Sequence, residues 1–286
     1  MSSDPDTLAA PASPVGTPRA ARRRPAMFRI GGGIPTAPYI AIAVGMFALL
    51  LVAWCVATYG GLVDPLFLPA PGDVLGRLRD LASDGTLWAD VRASVTRIVI
   101  GFALATVMAV PLGVLMGAFG AGDAALTPPI EFMRYIPPAA ITSLGILWVG
   151  FDETFKWFVI WFGTFFFEAL LIMDVVRRVQ MELVDIGRTL GHGELSILRR
   201  IVLPAAAPGI WDACRAMLGW AWSWLILAEV VGATNGFGYR INQARQFFDS
   251  ETIFAYLLVL GLLGLAIDQA LRFAGRRLFA WAAQGR

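Results

Sequence analysis

The sequence predicts an all-α integral membrane protein with about six transmembrane helices. The chain has 286 residues, of which 57% are hydrophobic and 15% charged, whereas a soluble domain is nearer half apolar and a quarter charged. Its mean hydropathy is +0.67. Apolar segments recur along the chain at about the length that a helix needs to cross a bilayer. The total length suits one integral domain.

The amino-terminal region divides into an arm and a first transmembrane helix. Residues 1–30 are rich in Ala, Pro, Ser and Arg, a composition that cannot bury a core and predicts disorder. Residues 31–286 are predicted to form the transmembrane domain. Its first apolar segment, Tyr39–Thr58, has 20 residues without a charge. The apolar part of a cleaved signal peptide is usually 7–15 residues long, so we expect this helix to be retained.

Five further apolar segments complete the predicted set, and several of them contain a proline or a charged residue. They are Ser94–Phe119, Ile130–Val149, Trp157–Met173, Ala205–Ala228 and Ile253–Leu271. An even number of spans places both termini on the same side of the membrane.

The distribution of arginine indicates that this side is the cytoplasm. The arm holds five arginines, the segment between the fourth and fifth spans holds five, and the C-terminal end holds four. The segments on the other side hold six basic residues that are offset by seven aspartates. Because Lys and Arg are enriched in cytoplasmic loops, both termini and the loop at 178–204 are predicted to be cytoplasmic.

The outer loop at 60–93 contains a predicted amphipathic helix. Residues 68–73 have the proline and glycine of a turn, and Asp73 is the expected N-cap. Apolar residues then follow at helical spacing, at Val74, Leu75, Leu78 and Leu81. We expect this helix to lie along the outer membrane face.

The polar segment at 178–204 is predicted to form two short helices that meet at an elbow. Val179–Leu190 has polar residues three or four apart on one face. Gly191 ends this helix, because glycine accepts the left-handed conformation, and Gly193 permits a second change of direction. Glu194–Val202 forms the second helix, and Pro204 suits the first turn of the next span.

The spacing of this segment resembles the cytoplasmic coupling loop of ABC importer permeases, whose pattern is Glu-Ala-Ala, three residues, Gly, nine residues, Ile-x-Leu-Pro. The predicted ATPase-coupling residues are Asp185, Gly187, Arg188, Gly191, His192, Ile201, Leu203 and Pro204. The chain departs from the pattern at 185–187, where Asp-Ile-Gly replaces Glu-Ala-Ala, and at His192, where the family usually has a small residue. These departures imply a locally altered fit to the ATPase groove.

The resemblance extends over 39–281, to the branch of bacterial ABC importers that carries taurine, alkanesulfonates, nitrate and bicarbonate. Its motifs are PLFLPAPGDVL (65–75), SVTRIVIGFALA (94–105), RYIPPAA (134–140), ILWVGFDETFK (146–156), LPAAAPGI (203–210) and LAEVVGATNGFGYRI (227–241). The resemblance implies the type I ABC importer permease fold in the bacterial inner (plasma) membrane. It also implies a small anion as substrate, with taurine or another sulfonate preferred over nitrate or bicarbonate.

The same resemblance implies several partners. They are ATP-binding cassette ATPase subunits, an extracytoplasmic substrate-binding protein and the lipid membrane. One chain has one coupling loop and two ATPases need two, so a permease homodimer is the simplest stoichiometry.

The third span is the predicted wall of the substrate pathway. Its proline pairs, Pro128-Pro129 and Pro137-Pro138, remove backbone donors and break helical hydrogen bonding. Lipid tolerates such breaks only where they are buried in protein or face a water-filled cavity. Arg134, predicted near the inner end of this span, either meets a small anion or snorkels to the cytoplasmic interface.

Two intramembrane carboxylates, Glu168 and Glu229, are further pathway candidates. Because a carboxylate should not line the narrowest passage for an anion, Glu229 is expected to be a structural partner or a gate latch that pairs with an arginine. Asp212 and Arg215 lie three residues apart on a helix and are expected to pair.

Several classes of function are disfavoured by missing motifs. The sequence has no G-x-x-x-x-G-K-[ST] motif, so ATP and Mg are expected on the partner ATPase and no cofactor on this chain. A single histidine and two cysteines without a CxxC pair disfavour a metal site. A net charge of +2 does not suggest nucleic acid. Without a catalytic motif, an enzyme is disfavoured. The main alternative is an ion-gradient-driven secondary transporter, which would predict an internal repeat and paired broken helices.

Overall fold

The computed structural model of the protein describes residues 34–281, and within that range the chain is helical and contains no strand. The predicted disordered arm lies outside the described residues. The helices are α1 (Thr36–Tyr59), α2 (Pro71–Ser83), α3 (Thr86–Ala118), α4 (Gly120–Arg134), α5 (Pro138–Val149), α6 (Glu153–Arg177), α7 (Met181–Thr189), α8 (Glu194–Ile197), a π-helical turn (Leu198–Val202), α9 (Leu203–Gly232), α10 (Phe237–Gln246) and α11 (Ser250–Leu278).

The described helices contain the six spans that the apolar segments predict. Five helical runs are long and apolar enough to cross a membrane, and the bent pair of α4 and α5 makes a sixth candidate. The fifth predicted span is longer than expected, because α8, the π-helical turn and α9 form one run of 39 residues, Glu194–Gly232.

The described residues divide into two units, one that ends at Trp54 and one that begins at Cys55. Most of α1 belongs to the first unit, and none of the residues of α1 is buried. Among the described residues, the second unit contains the other helices and all of the buried hydrophobic side chains.

The third predicted span is two helices rather than one. The axes of α4 and α5 differ in direction by 105°, and residues 135–137 separate them. The proline pair at 137–138 causes the break, because a residue before proline avoids the helical conformation and Pro138 then begins a new helix. The prediction that Pro128-Pro129 also breaks the helix is wrong, since both prolines lie inside α4. Ile130, the next residue, is buried in the core and anchors this part of α4.

The core is organised around a close contact between α3 and α6. Small residues recur every four positions on α3, at Gly101, Ala105, Ala109, Gly113 and Gly117. A Cβ atom on Gly113 would lie 2.7 Å from the carbonyl oxygen of Ala169 and from Cβ of Ile172. One on Gly101 would lie 2.7 Å from Cβ of Ile160. Such a stripe of small residues lets helix backbones approach closely in a membrane.

The helix α2 follows its predicted position but not its predicted cap. It begins at Pro71 after an extended Ala70, and Ala70 makes no side-chain cap hydrogen bond. Asp73 therefore lies in the first turn, because proline occupies the start of the helix, where its fixed φ is favourable. Val74 and Leu81 are buried, whereas Leu75 is exposed. On its polar face, Arg77 donates a hydrogen bond of 2.8 Å from Nε to Oγ1 of Thr252 in α11.

We predict that Gly113→Leu destabilises the protein by about 1–3 kcal/mol, because the new side chain meets backbone and a β-branched residue of α6 and overpacks the interface. Thermal unfolding of the purified protein in detergent measures the effect. Gly261→Leu is the matched control, since a Cβ at this glycine of α11 would meet nothing within 4 Å. Equal unfolding temperatures for the two variants would contradict the role given to the α3–α6 contact.

Candidate functional site

The loop between α6 and α9 forms an elbow, which we define as α7, the connecting residues 190–193 and α8. The helix α7 ends at Thr189, and Gly191 has a φ of +77°, in the left-handed region that glycine favours. The backbone N–H of Gly191 donates to the carbonyl of Arg188 (2.9 Å), and that of His192 donates to the carbonyl of Gly187 (3.1 Å). The predicted end of the helix at Gly191 is therefore confirmed.

The second change of direction does not depend on a glycine. Gly193 has φ −72° and ψ 157°, an ordinary extended conformation that other residues adopt. A Cβ atom there would meet nothing within 4 Å. The structural requirement for glycine in the elbow is thus confined to Gly191 and, for packing reasons, Gly187.

Arg188 connects the two helices of the elbow. Its Nε lies 3.1 Å from Oε1 of Glu194 in α8, and its Nη1 lies 3.3 Å from Oδ1 of Asp185 in α7. The hydrogen bond to Glu194, followed by the charge of that carboxylate, raises the pKa of the Arg188 guanidinium above its ordinary value. Because these groups are exposed, the pairs contribute little to stability. Only the pair with Glu194 joins α7 to α8, since Asp185 lies in α7 itself.

Gly187 lets α7 pack directly on the helix that follows the elbow. A Cβ atom at this position would lie 2.7 Å from Cδ1 of Ile201 and 3.1 Å from Cγ1 of Ile197. Two predicted coupling residues, Gly187 and Ile201, are therefore in contact. Val184, one turn earlier in α7, is buried.

The elbow continues into α9 without a break, which differs from the prediction of a separate helix starting at Pro204. In the π-helical turn the N–H of Leu203 donates to the carbonyl of Leu198, five residues earlier. Pro204 follows directly and has no N–H, and in a regular helix its ring would crowd the carbonyl four residues before. The wider π turn accommodates this proline without ending the helix. Leu203 and Pro204 therefore lie inside one helical run that joins the elbow to α9.

The elbow exposes an apolar surface that the described residues of the chain leave uncovered. Five large apolar side chains are exposed on it, namely Met181, Leu183, Ile186, Leu190 and Leu195. Leu190, at the bend itself, is 71% exposed. Exposed apolar patches rimmed by charged groups are typical of protein–protein contact sites. Behind this surface, a cavity of about 250 Å³ separates the elbow from the ends of α3 and α6.

Arg134 lies in the last turn of α4, at the break between α4 and α5. At its other end α4 carries Asp123, which pairs with Arg177 at the end of α6 (2.6 Å). Arg134 is eleven residues further along, about 16 Å at the helical rise per residue. Pro137 precedes α5 as its N-cap residue and Pro138 is the first residue of α5.

The side chain of Glu168 is buried between helices of the same chain. Its side chain is fully buried in α6, and its Oε1 accepts a hydrogen bond of 2.8 Å from Oγ1 of Thr106 in α3. Its surroundings within this one chain are those of a carboxyl group packed between helices.

Glu229 belongs to a charge cluster, which we define as Ser94, Arg97, Glu153, Glu229 and Asn235; Ser94, Arg97 and Glu229 are buried and Glu153 is exposed. Arg97 is 3% exposed; its Nη1 lies 2.9 Å from Oε1 of Glu229, and its Nε and Nη2 each lie 2.7 Å from the carboxylate of Glu153. Glu229 also accepts hydrogen bonds from Oγ of Ser94 (2.6 Å) and from the N–H of Gly238 (2.8 Å). The arginine partner expected for Glu229 is therefore Arg97.

A second buried carboxylate, Asp90, extends these contacts to α10 and α11. It accepts hydrogen bonds from the N–H of Gly236 (2.7 Å), from Nε of Arg240 (2.8 Å) and from the hydroxyl of Tyr256 (2.6 Å). Burial opposes the charge on Arg240, but the hydrogen bond and charge of Asp90 outweigh it and raise the pKa of the guanidinium. Gly236 adopts a φ of +105°, and a Cβ there would contact the carboxylate of Glu229.

Sequence reasoning missed Asp90, Ser94 and Arg97, although a signal was present. The three polar residues are four and three positions apart, which places them on one face of an otherwise apolar helix. The expected pair of Asp212 and Arg215 is found at 3.5 Å, but Arg215 makes a shorter contact of 2.7 Å with Asp268 of α11.

Comparison with known proteins identifies the family. Residues 109–280 match the family described as the binding-protein-dependent transport system inner membrane component. The chain is also 37% identical to a probable ABC transporter permease protein of Brucella melitensis, over 82% of the chain and 94% of that protein. The chain belongs to this family of ABC transporter permeases. The permease is therefore an inner-membrane component of a binding-protein-dependent importer, a class that works with ATPase subunits and a substrate-binding protein.

Relatives named for sulfur-containing substrates place the permease in the taurine and sulfonate branch. It is 32% identical to the taurine transport system permease protein TauC of Escherichia coli, over 86% of the chain and 92% of that protein. It is likewise 32% identical to the putative aliphatic sulfonates transport permease protein SsuC of Bacillus subtilis, over 82% of the chain and 85% of that protein. The secondary-transporter alternative receives no support from these relatives.

Solved structures support the fold. The permease resembles a chain of the MetNI methionine ABC transporter, determined in inward-facing conformations, with a TM-score of 0.59 and 19% identity. The similarity covers 68% of the permease and 94% of that chain. The type I ABC importer permease fold expected from the sequence is confirmed.

We predict that Arg97→Met lowers stability by about 3–5 kcal/mol, because removing one member of a buried ion pair leaves the carboxylate of Glu229 without its counter-charge. The double variant Arg97→Met, Glu229→Gln should lose less stability than the sum of the losses in the two single variants. Thermal unfolding of the purified proteins in detergent measures these changes in stability. The control is Arg92→Met, an exposed arginine on the same helix, and an Arg97→Met variant as stable as this control would contradict the role of the cluster.

Proposed function

We propose that the permease forms the translocation pathway of an ATP-driven importer for a sulfonate anion, and that its elbow docks into a groove of a separate ATPase. The observation that carries the proposal is the continuity of the elbow with α9 through Glu194–Gly232. Because α8, the π turn and α9 are one helical run, a displacement of the elbow moves a membrane helix directly. A flexible loop at this position would absorb the same displacement.

The contact surface of the elbow has the chemistry of a docking site. Apolar side chains at Ile186, Leu190 and Leu195 project from it, and the charged residues Asp185, Arg188 and Glu194 lie among them. An apolar centre supplies binding energy and a charged rim supplies orientation. The Asp-Ile-Gly sequence at 185–187 gives this surface a larger apolar side chain, Ile186, than the Ala of the family pattern.

The proposed substrate class follows from the named relatives. TauC is named for taurine, and the SsuC proteins of Bacillus subtilis and Escherichia coli for aliphatic sulfonates. The riboflavin transport system permease protein RibX of Chloroflexus aurantiacus is 30% identical, so identity alone does not separate substrates. Sulfonate is the most frequent class among these names, and none of them is nitrate or bicarbonate.

The proposed assembly contains two copies of the permease, two ATPases and an extracytoplasmic binding protein. Both termini and the elbow are on the cytoplasmic side, as the distribution of arginine predicts. ATP and Mg are bound by the ATPases, and this chain is a non-catalytic subunit. ATP binding draws the two elbows together, the attached helices α9 tilt, and the cavity between the permeases opens toward the binding protein.

We predict that a cysteine at position 190 crosslinks the permease to its ATPase. The variant Leu190→Cys is made after Cys55 and Cys214 are replaced by serine. The tagged permease is purified with its co-expressed ATPase, labelled with a maleimide that carries a benzophenone, and irradiated so that the benzophenone inserts into a C–H bond of the neighbouring subunit. A crosslinked product that contains peptides of both subunits is expected. Leu190→Cys should also react with a membrane-impermeant maleimide only after the cells are permeabilised.

The matched control for this experiment is Phe247→Cys. Phe247 is 75% exposed and follows α10, on the side predicted to be extracytoplasmic. It should react with the impermeant reagent in intact spheroplasts and should not crosslink to the ATPase. Labelling of position 190 from outside, or a crosslink at 247 and none at 190, would refute the docking proposal.

We predict that Gly191→Pro abolishes uptake, while Gly193→Pro retains most of it. Proline requires a φ near −65°, which conflicts with +77° at Gly191 and agrees with −72° at Gly193. Proline at 191 also removes the N–H that bonds to Arg188. Uptake of radiolabelled taurine into proteoliposomes that contain the full complex measures the difference. Equal uptake by both variants would show that the shape of the elbow does not matter for transport.

A further inference from the structure

Arg134 is exceptional among the buried and half-buried arginines of the described residues. Four of the five such arginines have a carboxylate oxygen within 3.4 Å, namely Arg77, Arg97, Arg215 and Arg240. Arg134, the fifth, has no carboxylate within ion-pairing distance anywhere in residues 34–281. The remaining arginines without such a partner are exposed. Because an intramembrane charge is costly without a partner, an unpaired Arg134 calls for a ligand.

The guanidinium of Arg134 is partly shielded but not satisfied. Its Nε is buried and has no hydrogen-bond acceptor among the described residues. Its Nη2 donates to the hydroxyl of Tyr135 (3.1 Å), and its Cζ lies 4.9 Å from the centre of the same ring. Glu131 is three positions earlier on α4, a spacing that allows pairing, yet the two side chains do not pair. The guanidinium of Arg134 is therefore partly buried and still has an N–H donor without an acceptor among the described residues.

The amino-terminal end of α5, close to Arg134 in the sequence, is a second positively charged feature. The helix α5 starts at Pro138, and the 105° bend turns its axis away from α4. The amino-terminal end of a helix carries a partial positive charge and favours an anion. Broken membrane helices use such ends for anionic substrate groups. The bend thus puts a helix terminus and an unpaired guanidinium four residues apart.

The side chains around the break are uncovered by the chain itself. Tyr135 is 74% exposed and Phe132 is 70% exposed. At membrane depth a break of this kind survives where it is covered by protein or lines a water-filled cavity.

We infer that Arg134, Tyr135 and the first turn of α5 bind the sulfonate group of the substrate during its passage through the permease. This inference rests on the proposed sulfonate substrate. A sulfonate remains ionised at physiological pH and offers three acceptor oxygens to the planar donor set of a guanidinium. The hydroxyl of Tyr135 accepts its hydrogen bond from Arg134, so its own proton is free to be donated to the anion.

The test compares transport by the complete complex of permease, ATPase and binding protein in proteoliposomes. Arg134→Met should lower the rate of radiolabelled taurine uptake about tenfold or more, the effect of losing charge-assisted hydrogen bonds. Arg134→Lys should retain part of the rate, because it keeps the charge and loses the planar donor set. Glu131→Gln is the neighbouring control and should transport at the normal rate. The Glu131→Gln control should also hydrolyse ATP at the normal rate without substrate.

A second measurement detects the site without transport. The purified permease–ATPase complex is treated with the arginine reagent phenylglyoxal, and modification of Arg134 is quantified by mass spectrometry. Taurine should protect Arg134, whereas ethanolamine, which has the amine and lacks the sulfonate, should not. The site is refuted if taurine gives no protection, or if Arg134→Met transports at the normal rate. If the unaltered complex imports no sulfonate at all, the proposed substrate class fails instead.

Discussion

The close contact between α3 and α6 is the feature on which the other parts of the fold depend. Lipid tails are as apolar as the side chains they surround, so helices in a membrane associate through close packing rather than through the hydrophobic effect. Small residues at every fourth position of α3 let its backbone approach Ile160 and Ile172 of α6. These two helices hold the charge cluster at one end and the cavity behind the elbow at the other.

The ion pairs at the two ends of the bundle differ in burial. Arg97 and Glu229 are almost fully buried, and their hydrogen bonds join α3, α9 and α10. The pairs of Arg188 are exposed and contribute little to stability. The helix α9 connects both ends, since it follows the elbow at Leu203 and includes Glu229. A single helix therefore connects the elbow with the charge cluster.

Local sequence signals predicted most of the elements because each rests on short-range chemistry. Apolar length determines whether a helix can cross a bilayer, and the six candidate spans follow from it. Gly191 ends α7 because a left-handed residue is needed there, and glycine adopts that conformation without strain. The two proline pairs show the limit of such reasoning. Pro128-Pro129 and Pro137-Pro138 look alike in sequence, yet the helix continues through the first pair, next to the buried Ile130, and breaks at the second.

The sequence by itself determined the class of protein, the helices and the position of the elbow, since hydropathy, spacing and turn chemistry act between residues that are close along the chain. The tertiary structure decided which charges meet. Arg97 and Glu229 are 132 residues apart, and no local spacing links them. It also decided that Arg134 has no carboxylate partner in the described part of the chain, because pairing of a buried charge depends on how distant helices pack rather than on its neighbours in sequence.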